Sequence, residues 1–153
     1  MSIQFEIKRF NELSAVELYE VLQLREEVFI VEQDCVYQDI DGKDMKALHV
    51  LGIFDGRIVA YSRLFDKGYY FDNPSIGRVV IKAQYRDRKW GHDLMKASIA
   101  AIEAHYGKST ITISAQQYLT KFYQSHGFVQ EGEAYLEDGI PHVRMHWISD
   151  FRG

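Results

Sequence analysis

The sequence predicts an α/β (α+β) fold: a mixed, mostly antiparallel twisted sheet of about six or seven strands flanked by about four helices. Three observations predict it. Asp55-Gly56 and Asp138-Gly139 each separate two apolar, strand-like segments, the strongest short-range hairpin signal, one early and one late in the chain. Strand–helix–strand patterns lie between these hairpins. The chain has 153 residues, 46% of them hydrophobic and only 2 of them proline, which suits one folded domain over 1–153.

Each element has its own signal. Residues 3–10, IQFEIKRF, alternate Ile3, Phe5 and Ile7 against Gln4, Glu6 and Lys8, the period of a half-buried strand. A helix follows from a capping box of Ser14 and Glu17 and runs to about Val31, with Leu18, Leu22, Arg25 and Phe29 at helical spacing. The segment from Glu32 to Lys46 is polar and loop-like. Its acidic run, DIDGKD, is not a calcium loop, because Lys43 falls on a ligand position and the glycine is misplaced. Two strands follow, 47–54 and 57–65, then a variable connection and an apolar β-branched strand from Ile76 to Ile81. A helix opens at Gly91 and stops near Tyr106-Gly107. Residues 110–114 read as a strand, about 117–126 as a helix ended by Gly127, and 128–136 with 140–147 as the closing hairpin.

Composition bounds the function. A net charge of -4 argues against a general nucleic-acid binder, which needs a basic excess. Cys35 is the one cysteine, so no intramolecular disulfide forms and a reducing, cytoplasmic setting is expected. No targeting segment is recognisable and no run approaches the roughly 18 apolar residues of a membrane span, so a soluble protein is expected. The six histidines come with no persuasive set of partner ligands, and no metal is expected.

The most informative stretch runs from Ile76 to His92. A buried strand becomes a loop with Arg86, Arg88 and Lys89, and Gly91 then opens a helix. A helix N-terminus has unpaired N–H groups and about half a positive charge, so this order makes a cradle for phosphates. A phosphorylated ligand is the first expectation.

The loop RDRKWG at Arg86 to Gly91 and the segment FYQSHGF at Phe122 to Phe128, in this order of elements, resemble the GNAT acetyltransferase superfamily. More narrowly, the run from Leu24 to Asp44, GRVVI at Gly77 to Ile81, and EDGIPHVRM at Glu137 to Met145 are similar to its ElaA-like branch. The resemblance covers nearly the whole chain. In the superfamily's Q/R-x-x-G-x-G/A loop, Arg86 matches the first position and Gly91 the last, while Lys89 occupies the middle glycine.

The resemblance implies a cytoplasmic N-acetyltransferase that uses acetyl-CoA, needs no metal, and acts on a small-molecule amine or a protein lysine by direct attack. A non-catalytic acyl-CoA-binding or regulatory module on the same fold is the competing class. No nucleic-acid or membrane partner is implied, and dimerisation is common on this fold. The loop would hold pyrophosphate through amides from Arg88 to His92, spanning Lys89, Trp90 and Gly91, helped by the side chains of Arg86, Arg88 and His92. Pantetheine would lie along Val79, Val80 and Ile81, with an N–H near Val80 directed at the thioester oxygen. Gln116 falls where relatives carry a cofactor-contacting Asn, and Leu119 replaces their small residue. Tyr123 is the candidate general acid, since a phenol can protonate a leaving thiolate. Glu32 and His142 are both candidates for the base that neutralises the amine; Asp39 and Asp41 are candidates for binding a cationic acceptor. Cys35 has no context that would make it a nucleophile.

Overall fold

The computed structural model describes residues 2–148. Seven strands form one sheet in the order β1-β2-β3-β4-β5-β7-β6. They are β1 (Gln4–Arg9), β2 (Leu48–Phe54), β3 (Arg57–Phe65), β4 (Ser75–Ile81), β5 (Thr110–Gln116), β6 (Val129–Glu137) and β7 (Ile140–Ile148). Every neighbouring pair is antiparallel except β4 with β5, which run parallel. Both hairpins form at the expected dipeptides, where Asp55, Gly56, Asp138 and Gly139 all have positive φ.

Helices cover both faces. Helix α1 (Ala15–Arg25) starts at the expected capping box: Glu17 N–H donates to Ser14 Oγ at 3.0 Å, and Ser14 N–H donates to Glu17 Oε1 at 2.9 Å. Beyond Arg25 it widens into a π-helical segment, Glu26–Glu32, rather than continuing as regular helix to Val31. Its buried residues Val21, Leu24, Val28 and Phe29 pack with Leu51, Tyr61 and Val80 on one face of the sheet. Helix α2 (Trp90–Tyr106) buries Leu94, Met95, Ala101 and Ile102 on the other face, against Leu48, Val50, Ile111 and Met145. The helix expected over 117–126 is a 3₁₀ turn, Gln117–Leu119, followed by the five-residue α3 (Thr120–Gln124). No helix among the described residues is long and apolar enough to cross a membrane.

Two irregularities of β4 shape the molecule. Strands β4 and β5 pair at one position only, Ser75 opposite Thr112, so Ile76 to Ile81 has no partner on the β5 side. On the β3 side, Tyr61 pairs with Val80 and Arg63 with Gly77, two steps against three. The extra residue is a β-bulge, and Arg78 within it has φ 49°.

Candidate active site

The wedge between β4 and β5 opens into a cavity of about 560 Å³. Val79, Val80 and Ile81 form one wall and Ile113, Ser114 and Gln116 the facing one. Val80 is 3% exposed and belongs to the α1-side core, whereas Val79 and Ile81 pack against the α2-side core. Alternation along the strand thus seats the side chains in both layers and leaves the backbone edge to the wedge.

At the C-terminal end of β4 the basic loop is a 3₁₀ turn, Ala83–Arg88, that ends on Lys89 with φ 61° and ψ 22°. Lys89 is therefore left-handed, the conformation that glycine adopts without cost and a lysine at about 1–2 kcal/mol. It is also the N-cap of α2. His92 N–H donates back to Lys89 O at 3.2 Å, while the amides of Trp90 and Gly91 precede the helix's first i→i−4 bonds. A β-carbon on Gly91 would lie 3.4 Å from the Phe122 ring, so a small side chain fits and a large one must project elsewhere.

The wall includes Lys89, Gly91 and His92 but neither Arg88 nor Trp90. Those two side chains turn to the other side of the loop. Trp90 is 7% exposed and packs on Phe54 and Tyr85, and the Arg88 guanidinium sits 5.1 to 5.2 Å from the centroids of all three rings. His92 Nδ1 lies 2.9 Å from His126 Nε2, one imidazole donating to the other. Burial first, then the neighbouring His92 and Lys96, lowers the pKa of His126.

Arg86 and Glu32 meet at the cavity mouth. Arg86 Nη2 donates to Glu32 Oε1 at 2.8 Å and Nη1 donates to Oε2, while Nε donates to Ile81 O at 3.0 Å. The hydrogen bonds from Arg86 hold the Glu32 carboxyl below the usual range. Both Glu32 oxygens and both terminal nitrogens of Arg86 are therefore engaged with each other.

Tyr123 forms part of the wall and is 6% exposed, its ring edge-on to Phe122 and Phe128. Burial pushes its phenol well above the ordinary value, so it is protonated at neutral pH. No hydrogen bond ties its hydroxyl to another side chain or carbonyl among the described residues, and the residue lines the cavity. Gln116 Nε2 reaches Gln33 Oε1 at 3.3 Å across the wedge.

His142 stands on β7 opposite Gln116 and opposite Tyr135 of β6, and it lines the same cavity. Its Nδ1–H donates to Ile140 O at 2.7 Å, which makes Nε2 the ring nitrogen that takes up or gives a proton. Glu137 Oε2 is 3.7 Å from that Nε2. Tyr135 OH and Ser114 Oγ are 2.5 Å apart, and Ser114 Oγ donates to Glu137 Oε1 at 2.9 Å, so the carboxylate is oriented from behind. Glu137 was legible as a hairpin residue, but Ser114 and Tyr135 carried no signal of their own.

The candidates for a cationic acceptor, Asp39 and Asp41, are already paired. Arg25 Nε donates to Asp39 at 2.9 Å, Arg78 Nε lies 2.7 Å from Asp39, and Arg63 makes two 2.9 Å bonds to Asp41. Asp44 accepts from Arg25 at 2.8 Å and Arg63 at 3.0 Å. Three arginines thus neutralise three aspartates, with Arg25 fully buried. Cys35 Sγ donates to Asp138 O at 3.2 Å, which ties the loop after α1 to the β6–β7 hairpin.

A sheet splayed between its one parallel pair, with a helix N-terminus at the open end and a protonated phenol inside, defines an acyltransferase-like architecture. The acetyltransferase (GNAT) domain matches residues 11–149, and the chain belongs to that family, in its ElaA-like branch. Protein ElaA of Escherichia coli (strain K12) is 40% identical over 145 residues, covering 94% of this chain and 95% of that one. Its crystal structure superposes with a TM-score of 0.88 at 39% identity, over 95% of this chain and 99% of that chain. An acyl-CoA N-acyltransferase from Pseudomonas aeruginosa superposes at 0.90, with 40% identity over 95% and 99%. A GNAT family acetyltransferase from Elizabethkingia anophelis, crystallised with acetyl-CoA bound, shares the fold alone: 14% identity and a TM-score of 0.69 over 96% and 98%.

Proposed function

We propose that the protein is an N-acetyltransferase that moves the acetyl group of acetyl-CoA to a primary amine by direct attack in a ternary complex. One observation carries this reading: a single cavity joins the α2 N-terminus, the unpaired edge of β4, Tyr123 and the His142 corner. The fit to CoA is physical. The free β4 edge suits the amide-bearing pantetheine arm, and the α2 N-terminus with Lys89 suits pyrophosphate. The bound thioester supplies the acyl donor.

The chain's residues then do the rest. Val79 to Ile81 hold the arm as an added strand, and the N–H near Val80 stabilises charge on the carbonyl oxygen. His142 Nε2 accepts a proton from the incoming ammonium, and Glu137 steadies the imidazolium that results. The neutral amine attacks the carbonyl carbon, the carbon–sulfur bond breaks, Tyr123 gives its proton to the departing thiolate, and the surplus proton on the acylated nitrogen returns to the Tyr123 phenolate through water. Lys89, Gly91 and His92 serve cofactor binding directly; Arg86 does so after release from Glu32; Trp90 and Arg88 brace the loop from behind. Glu32 positions Arg86 and does not act as the base. The enzyme works as one domain in the cytoplasm and needs no metal.

The experiment is release of the CoA thiol from acetyl-CoA across a panel of amines, with calorimetry of CoA binding in parallel. Amine-dependent release is expected. CoA binding without release for any amine would replace the enzyme with an acyl-CoA-binding module.

A further inference from the structure

We infer that the acceptor is a primary amine carried on an aromatic body, with no second positive charge. This rests on the proposed acetyl transfer and names the amine that the same cavity selects. At the end of β4 away from the phosphate loop, the cavity is walled by Phe65, Tyr70 and Phe71. The rings form a continuous run, with centroids 5.6 Å apart for Phe65 and Tyr70 and 5.3 Å apart for Tyr70 and Phe71. Tyr37 adds a fourth ring to the lining. Flat aromatic walls favour a flat aromatic guest. From the bulge at Arg78 to Ser75 is three residues, about 10 Å along a strand, the span of an aryl ring on a short alkyl arm.

Charge disfavours the polycationic alternatives at the aromatic end. Aromatic walls can also hold cations, but each of these rings already has one of the protein's own cations against it, Arg63 and Arg78 within the lining and Lys43 and Arg144 outside it, which leaves the cavity side for an uncharged guest. Lys43 Nζ lies 4.4 Å from the Tyr70 centroid, the Arg144 guanidinium 4.8 Å from that of Phe71, and the Arg78 guanidinium 5.5 Å from that of Tyr37. The aspartates beside them, Asp39, Asp41 and Asp44, are consumed by Arg25, Arg63 and Arg78. Glu137 stands at the His142 corner, where the single reacting ammonium arrives. A polyamine, an aminoglycoside or a basic peptide would bring further charges toward Arg63 and Arg78, which line the cavity, whereas the carboxylates that line it, Glu137 and Asp138 at the hairpin and the Arg86-paired Glu32, lie away from the aromatic wall.

The test is initial-rate acetylation by the purified full chain with acetyl-CoA. The amines are phenethylamine, tryptamine, spermidine, kanamycin and a lysine-containing peptide. The two arylalkylamines are expected to exceed the others in kcat/KM by at least about tenfold. Replacing the surface-reaching Tyr70→Ala is expected to raise KM for tryptamine about fivefold or more, leaving kcat and KM for acetyl-CoA as in the parent. Acetylation of spermidine, kanamycin or the peptide at equal or better kcat/KM overturns the inference while leaving the acetyltransferase intact. An unchanged KM for tryptamine in the Tyr70 variant overturns it too. Failure of every amine, with CoA still bound, overturns the acetyltransferase reading and this inference with it.

Discussion

Glu32 and Arg86, 54 residues apart in sequence, meet fork to fork at the cavity mouth, Arg86 Nη2 on Glu32 Oε1 at 2.8 Å and Nη1 on Oε2. A carboxylate held this way has its pKa lowered by the guanidinium and its acceptor positions filled, which makes it a poor proton acceptor. Glu32→Gln is therefore expected to leave kcat within about threefold of the parent, since an exposed pair carries little energy and no step passes through it. KM for acetyl-CoA should fall, because Arg86 is released toward the phosphates. Steady-state kinetics decide it: a hundredfold loss in kcat would restore Glu32 as the base.

Gly91 lies in the first turn of α2 with 3.4 Å between its would-be β-carbon and Phe122. Gly91→Ala should fold and bind CoA close to normally. Gly91→Glu should weaken CoA binding by about tenfold or more, through bulk and through a negative charge where phosphates approach. Calorimetric titration of CoA into both variants, with circular dichroism as a fold control, reads the difference. Equal affinity in all three proteins would remove the loop from cofactor binding.

His142 is the proposed base: Nδ1–H is committed to Ile140 O, and Nε2 faces Glu137 Oε2 at 3.7 Å. His142→Ala is expected to lower kcat by about 10²-fold, the usual share of a general base, with CoA affinity unchanged. Added imidazole should recover part of the rate, because the variant leaves a hole of the right shape. A variant as active as the parent would hand amine deprotonation to water.

Tyr123 is the proposed proton donor, and burial keeps its phenol protonated at neutral pH. Tyr123→Phe preserves the ring packing against Phe122 and Phe128 and removes one oxygen with no partner among the described residues. Thermal stability should hardly change. The value of kcat should fall by about 10²-fold while CoA affinity stays within about twofold, and rapid-quench measurement of the acyl-transfer step would locate the loss. An unchanged kcat would withdraw Tyr123 from proton donation.

Local rules carried much of this architecture into the sequence. A two-residue loop at Asp138-Gly139 pairs Glu137 with Ile140, and counting outward along the hairpin puts Tyr135 opposite His142, as observed. The Ser14–Glu17 capping box and the Gly107 stop of α2 were likewise written in adjacent residues. What was not legible depends on partners distant in sequence. The bulge at Arg78 exists because β4 must follow β3 on one side while parting from β5 on the other. Arg88 and Trp90 read as loop and helix-start residues with phosphates nearby, but a 3₁₀ turn rotates both onto Phe54 and Tyr85. Asp39 and Asp41 looked free until Arg25, Arg63 and Arg78 converged on them from a helix and two strands.

That convergence has a pH signature. Burial alone would raise the Asp41 carboxyl, yet hydrogen bonds from Arg63 and from Lys43 N–H, with the charges of Arg63 and Arg78, outweigh it and hold Asp41 at about 2 against an ordinary 3.8. A folded-state pKa below the unfolded one means that the unfolded chain binds protons first as pH falls. The contribution of this site is complete above about pH 4 and is lost progressively down to about pH 2, on the order of 2 kcal/mol in all. Asp41→Asn should therefore lower stability at pH 7 and flatten its fall between pH 4 and pH 2. Urea melts across that range test it: parallel curves for parent and variant would mean that Asp41 keeps its ordinary pKa. Removing Arg25 is the harsher case, because Arg25→Met leaves Asp39 and Asp44 facing a buried gap. A loss of about 3–5 kcal/mol at pH 7 is expected, from stranded charge more than from the volume change.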